Sequence, residues 1–363
     1  METISQTPDS TTASAPILKR IFPFTFHGTG SALFGIFVMN VLKTVLTLGV
    51  YSFWGKVKTR QFLWGQTEFA GDRFGYHGTG KELILGWLKA AVLLAGLVAL
   101  QNVVGLRGHV LLGALLLWLG IAFILPVAQI GTWRYRLSRT SWRAVRFSFK
   151  GEVRPFLLVS LKGMALTVVT LGAGYAYYEC DTRGYLINHC RLGKTAFQFH
   201  GKAKDLFWVY IQHGLVALAG AVVLFLLLMA GRTVSTLQTG GAASAFGFIM
   251  FVLYAFLYGL VLLSIAVRRR RFFWNQTTFG GAEFKTSVTM SSLLALYLTN
   301  GLLLLCTLGL AFPWVTVRTR RYDCEHLLLS GALDLDTIEQ DAQTATAVGE
   351  ELSGFLDVDT IAG

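Results

Sequence analysis

The chain has 363 residues, of which 53% are hydrophobic and only 14% charged, and its mean hydropathy is +0.54. A soluble domain needs a charged surface, so this composition excludes an ordinary soluble protein and makes lipid part of the solvent. The net charge of +12 would suit nucleic acid, but the basic runs Arg134–Arg154, Arg268–Arg271 and Arg318–Arg321 flank apolar segments. That placement favours anionic membrane lipid as the partner and speaks against nucleic acid.

In chain order, residues 1–18 are rich in Ser, Thr and Ala and are expected to be a disordered tail, without the basic start and apolar run of a signal peptide. A bilayer core of roughly 30 Å needs about 20 apolar residues per helix. Four stretches meet that length: Leu83–Val104, Val110–Ile130, Leu206–Ala230 and Phe246–Val267. Three further segments, Leu33–Tyr51, Phe156–Tyr177 and Leu293–Phe312, are interrupted by Lys43, by Lys162 and by Asn300-Gly301. From residue 332 to 363 the chain carries Asp and Glu but no Lys or Arg, and is expected to be an acidic tail with a short helix over Thr337–Leu352. The expected fold class is therefore an all-α multi-pass membrane protein, with four transmembrane helices and three interrupted segments that either re-enter or span.

The three interrupted segments share a pattern. Thr-Leu-Gly occurs at Thr47–Gly49, Thr170–Gly172 and Thr307–Gly309; an aromatic residue follows the Thr by seven positions (Trp54, Tyr177, Trp314), and Arg60, Arg183 and Arg320 follow at a constant distance. Seven positions before each Thr stand Asn40, Gly163 and Asn300, which are expected to break the segments near their middles because Asn and Gly are turn formers. Such registered self-similarity marks an internal repeat. It divides the chain into a first unit over 22–145, a second over 146–285 and a truncated third over 286–331.

A shorter motif, Phe-x-(Phe/Tyr)-(His/Lys)-Gly, ends at Gly28, Gly78, Gly151 and Gly201. Its alternation at period two followed by Gly predicts a short extended piece ending in a turn, at the membrane edge. His27, His77 and His200 could suggest a metal, but Lys150 holds the matching position and is not an ordinary ligand. These four are expected to contact lipid phosphate or backbone carbonyl, and no metal or cofactor is implied. Cys180, Cys190, Cys306 and Cys324 have no metal-site spacing and are expected to be structural.

If all seven segments cross, the basic residues divide almost evenly between the two faces. If the Thr-Leu-Gly segments dip and return, only Arg107 and Arg232 fall on the far side, and the positive-inside rule gives a clear answer. The one-sided, re-entrant arrangement is preferred; the alternative is inverted repeats, as in many transporters. Lys43 and Lys162 are candidate functional residues because ionisable groups at membrane depth are costly, with snorkelling to the interface as the competing explanation.

No hydrolase, metalloprotease, phosphate-loop or dinucleotide signature is present, so no enzyme is expected. Two functions remain open. One is a channel, permease or lipid-handling protein in which Lys43, Lys162, Arg60, Arg183 and Arg320 meet an anionic solute or headgroup. The other is a scaffold or envelope-stress component that binds anionic lipid and a protein partner; homo-oligomerisation is left open by both.

Thr47–Tyr51 with Trp54, Val57 and Thr59-Arg60, then Phe74–Gly78, and the tail residues Gly349-Glu350-Glu351 and Phe355–Asp359 resemble the YjgN family of bacterial inner-membrane proteins. The resemblance runs from about Phe22 to the C-terminus. It implies the bacterial plasma membrane and no particular activity. The middle copy departs from the pattern at Tyr177 and at Cys180-Asp181.

Overall fold

The computed structural model describes residues 20–235, 242–331 and Leu333. The expected N-terminal tail and almost all of the acidic tail, with its helix, lie outside the described residues. The Phe-x-Phe segments form strands, as alternating aromatic residues with few helix formers should. They do not stay separate at the membrane edge. β1 (Arg20–Phe26), β3 (Asp72–Tyr76), β5 (Val145–Phe149), β7 (Thr195–Phe199) and β9 (Ala282–Thr286) alternate with β2 (Thr67–Phe69), β4 (Thr140–Trp142), β6 (Cys190–Leu192), β8 (Thr277–Phe279) and β10 (Leu327–Gly331). The ten pair antiparallel throughout, and β1 joins both β2 and β10, so the sheet closes into a barrel.

This overturns the all-α expectation. Three-residue strands such as β2 carry too short a pattern to be read from sequence, and they become strands only because two neighbours pair with them. Closure also removes the exposed edges that would otherwise template aggregation.

Between successive strands lie five helical hairpins: α1 (Gly30–Leu46) with α2 (Ser52–Gly65), α3 (Gly80–Leu106) with α4 (Val110–Ser138), α5 (Val153–Val169) with α6 (Tyr175–Asn188), α7 (Ala203–Ser235) with α8 (Ala242–Asn275), and α9 (Met290–Cys306) with α10 (Phe312–Glu325). Because every hairpin leaves an odd strand and returns on the next even one, all five stand at one end of the barrel. The tight β-turns occupy the other end. Ala70-Gly71, Arg143-Ala144 and Gly280-Gly281 all have positive φ, as two-residue hairpin turns that match strand twist require. Neighbouring helices pack in chain order, and α10 packs on α1, so the helices also form a closed ring.

Helix starts are fixed by local chemistry. The Thr29, Thr79 and Thr289 side chains each accept from the backbone three residues on, and Glu82 returns the bond to Thr79 in a capping box. Among the described residues four helices, α3, α4, α7 and α8, are long and apolar enough to cross a membrane. At 1.5 Å per residue α3 is about 40 Å long and α1 only about 25 Å. The α1–α2, α5–α6 and α9–α10 hairpins are correspondingly short, leaving the helical end of the barrel and turning back to it.

The turn is not where the sequence suggested. Asn40, Gly163 and Asn300 lie inside unbroken helices. The reversal is at Thr-Leu-Gly: Leu48, Leu171 and Leu308 have φ near 50°, and Gly49, Gly172 and Gly309 lie between 86° and 98°. Each Gly amide donates to a carbonyl five residues back, 2.8 Å at Gly49 to Thr44, the six-to-one bond that closes a helix C-terminus. The Thr hydroxyl accepts from the backbone four residues on, Thr47 from Tyr51 at 2.9 Å, and so starts the returning arm. The supposed breakers are instead the contact between arms. Asn40 Nδ2 donates to Gly55 O at 3.2 Å, Asn300 Nδ2 to Thr319 Oγ1 at 3.3 Å, and Gly163 lies against the backbone of Tyr178. A helix tolerates Asn at depth when another chain segment takes its hydrogen bond.

Candidate functional site: the mouth of the barrel

Strand register places one inward residue of each strand at a common level. Phe24 faces Phe69, Phe74 faces Trp142, Phe147 faces Leu192, Phe197 faces Phe279 and Phe284 faces Leu329. The first aromatic residues of the five motifs stack around the barrel: Phe74 on Phe147 at 6.3 Å, Phe147 on Phe197 at 6.4 Å, Phe197 on Phe284 at 6.2 Å and Phe284 on Phe24 at 6.4 Å. Offset stacking of this kind adds about 0.5–1.5 kcal/mol per pair beyond burial. Trp142 is further fixed by its Nε1 donating to Phe69 O at 3.2 Å.

Within this belt lies a cavity of about 430 Å³. Its lining continues into the helices through Trp64, Trp274, Arg270, Arg320 and Asp323 and includes none of the β-turn residues. The cavity therefore opens towards the helical ring. Arg270 is paired with Asp323 at 2.9 Å, and the Arg320 guanidinium lies over the Trp64 ring, 5.7 Å from its centre. Apolar walls with a few convergent polar groups at the mouth are the usual make-up of a ligand site.

The sequence candidates are dispersed over the molecule. Arg320 lines the cavity. Arg60 is half-buried at the barrel rim, its Nη1 donating to the Tyr76 hydroxyl at 3.4 Å. Arg183 lies 3.2 Å from Glu179 and over the ring of Phe273. Lys43 is near the tip of its hairpin, its ammonium over Tyr51 at 5.3 Å. Lys162 is exposed on α5, in a separate cleft.

His27, His77 and His200 lie on the outer side of the strands. They contact Glu68 at 2.9 Å, Ser141 at 2.8 Å and Thr278 at 3.3 Å respectively. Their amides, and that of Lys150, close the same backbone bond to the helix end before the neighbouring strand. Among the described residues no group of three or more His, Cys, Asp or Glu side chains could hold a metal ion. Trp54 and Trp314 cover Gly80 and Gly30, where the next helix begins and a Cβ would collide with the indole.

Several residues of the site were not found by sequence reasoning. In the sequence Arg270 stands out only as part of the basic run Arg268–Arg271, and nothing there singles out Asp323. The belt was missed because its fifth copy, Phe284–Val288, ends without His-Gly. A constant spacing of five residues from Phe69, Trp142, Leu192 and Phe279 to Phe74, Phe147, Phe197 and Phe284 was the available signal. Glu179 falls just outside the apolar window. It is only 4% exposed and is held by Arg183, by Arg269 at 3.3 Å and by the Tyr210 hydroxyl at 2.6 Å, joining α6 to α7 and α8. The free cysteines behave differently from one another: Cys306 is exposed, whereas burial pushes the Cys190 thiol up to about 12.

The family model described as "Bacterial protein of unknown function (DUF898)" matches residues 22–355. The chain belongs to this family. Among curated relatives, it is 26% identical over 361 residues to "Inner membrane protein YjgN" of Salmonella typhimurium (strain LT2), covering 86% of this chain and 89% of the relative. It is 31% identical over 149 residues to "Inner membrane protein YjgN" of Escherichia coli (strain K12), a match spanning 41% of this chain and 36% of that one. No solved structure matches. This DUF898 member is a multi-pass protein of the bacterial inner membrane.

Proposed function

We propose that this protein handles lipid, and that the mouth of the barrel receives the apolar part of an anionic amphiphile whose charged end meets Arg270 and Arg320. The observation that carries this reading is the position of the aromatic cavity: it opens towards the membrane-side helices and has guanidinium groups at its mouth. The packed belt argues against a permanent aqueous path along the barrel axis, because an ion passing it would exchange water for ring carbon. No catalytic step is part of the proposal.

Two features extend it. The five strand–hairpin–strand units read as one repeated element of alternating short and long hairpins, a finer division than the Thr-Leu-Gly spacing alone suggests. Placing all five hairpins on one side leaves most basic residues with the barrel, and the positive-inside rule then orients the barrel to the cytoplasm.

The test is native mass spectrometry of the full chain released from its own membrane. Retained anionic lipid is expected, and Leu327→Trp, at the half-buried mouth, should displace it while leaving the belt intact. Absence of bound lipid, together with an anion current in liposomes abolished by Leu327→Trp, would instead support a channel. Neither lipid nor current would leave the scaffold.

A further inference from the structure

The second helix of each hairpin ends at the same distance from its strand, which permits comparison of equivalent positions. Six residues before the even strands stand Gln61, Arg134, Gly184, Arg271 and Arg321. Three of these arginines do the same thing. Arg134 donates to Gly151 O at 2.9 Å, Arg271 to Val288 O at 2.6 Å and Arg321 to Gly28 O at 3.0 Å. Each pins the loop that leads into the next hairpin by placing a guanidinium against its carbonyl.

At the third hairpin the arginine is replaced by Gly184. The carbonyl that it would have met, Gly201 O, is approached among the described residues by the Cys180 thiol at 3.7 Å, a weak donor. Where the guanidinium would lie there is a cleft of about 370 Å³, lined by Gly184, Gly201, Cys180, Asp181 and Lys162. Nine residues before the strand the other four hairpins carry Lys58, Gly131, Arg268 and Arg318; only this one carries an acid, Asp181. The slot has thus lost its built-in cation and gained a carboxylate. Lys162, on the facing helix α5, acts on the Asp181 carboxylate through its charge without a direct ion pair among the described residues, so opposite charges flank the cleft.

We infer that this cleft binds a zwitterionic phosphoethanolamine group, its ammonium taking the place of the missing arginine against Asp181 and Gly201 O and its phosphate meeting Lys162. An ammonium or guanidinium group satisfies a carboxylate and a carbonyl together with charge-assisted bonds. The Lys162 ammonium across the cleft selects an ethanolamine phosphate over a plain amine. The inference stands independently of the barrel cavity, which lies within the sheet and shares no residue with the cleft.

The experiment is calorimetric titration of the full chain in maltoside micelles with O-phosphoethanolamine, methylammonium and inorganic phosphate. O-Phosphoethanolamine should bind at one site, and Asp181→Asn should weaken it by about tenfold or more, the loss of one charge-assisted contact. Lys162→Met should weaken O-phosphoethanolamine and leave methylammonium unchanged. Gly184→Arg should abolish binding of both, since the side chain repeats a contact made in three other hairpins; its Cβ requires the Phe199 ring to give by a few tenths of an ångström, and the melting temperature checks that the variant is folded.

Competition by phosphatidylethanolamine in nanodiscs would identify the lipid headgroup as the source. Binding of the free compound without such competition would identify a soluble one, with the same chemistry upheld. The inference is overturned if no probe binds, if inorganic phosphate binds as tightly as O-phosphoethanolamine, or if folded Gly184→Arg binds like the parent. Should that variant not fold, Asp181→Asn decides.

Discussion

Gly163 and Gly301 sit next to each other in the repeat alignment, each near the middle of an apolar segment, yet the structure assigns Ala substitutions at the two positions opposite outcomes. Both are helical, so Gly→Ala gains about 1 kcal/mol of helix propensity at either site. At Gly301 a Cβ meets nothing within 4 Å, and the gain is kept. At Gly163 the Cβ would lie 2.9 Å from the Tyr178 Cα. That neighbour is backbone and cannot rotate away, so the two arms of the hairpin must separate, at a cost of about 1–3 kcal/mol for overpacking.

Because the propensity term is common to both, the difference between the variants isolates the clash: Gly301→Ala should be the more stable by about 1–3 kcal/mol. Purified variants heated in the same detergent and assayed for monodisperse protein by size exclusion give the comparison, with Gly301→Ala melting above the parent and Gly163→Ala below it. Equal shifts of the same sign would refute the packed-hairpin register and restore a mid-segment break.

Three further outcomes follow from the same geometry. Cys306, exposed in the last turn of α9 beside its Thr-Leu-Gly tip, should react in proteoliposomes with a membrane-soluble maleimide and not with a charged one; rapid labelling by the charged reagent would place the tip in water. Cys190, with its thiol pushed up to about 12 by burial, remains protonated through pH 9, and the thiolate is the reactive form. It should resist alkylation until the protein is unfolded, and mass spectrometry of the digested chain reads this directly. Glu179→Gln leaves Arg183 and Arg269 facing a neutral amide where a buried carboxylate stood. Breaking a fully buried pair costs about 3–5 kcal/mol; here the carboxylate is buried but Arg183 and Arg269 are 44% and 38% exposed and keep part of their hydration, so the loss is smaller, and the melting temperature should still fall below that of Asp72→Asn at the exposed Arg143 pair. Equal melting temperatures would show that the Glu179 cluster carries no stability.

The arrangement of chemical groups was partly legible. Thr47, Thr170 and Thr307 were marked as registered positions, and their shared role at the reversal explains the spacing, because a hydroxyl that accepts from the fourth residue on must sit at one fixed place. At Asn40 and Asn300 turn propensity misleads because it is a local rule, whereas each Nδ2 donates to an arm 15 and 19 residues away. His27, His77, Lys150 and His200 were recognised as equivalent, but equivalence does not reveal which way a strand faces. Register does, and it turns them to the outside of the sheet while aiming Phe24, Phe74, Phe147 and Phe197 inward.

By itself the sequence determined the solvent, the four long helices and the spacing of the shared motifs, because hydropathy and period depend only on neighbours along the chain. The tertiary structure decided that the extended motifs close into a barrel, that the Thr-Leu-Gly segments turn back at the leucine and glycine, and that Gly184 leaves a slot where three other hairpins place an arginine. Each of these depends on what another segment contributes: a strand needs a partner, a hairpin needs its second arm, and an empty slot is visible only beside the filled ones.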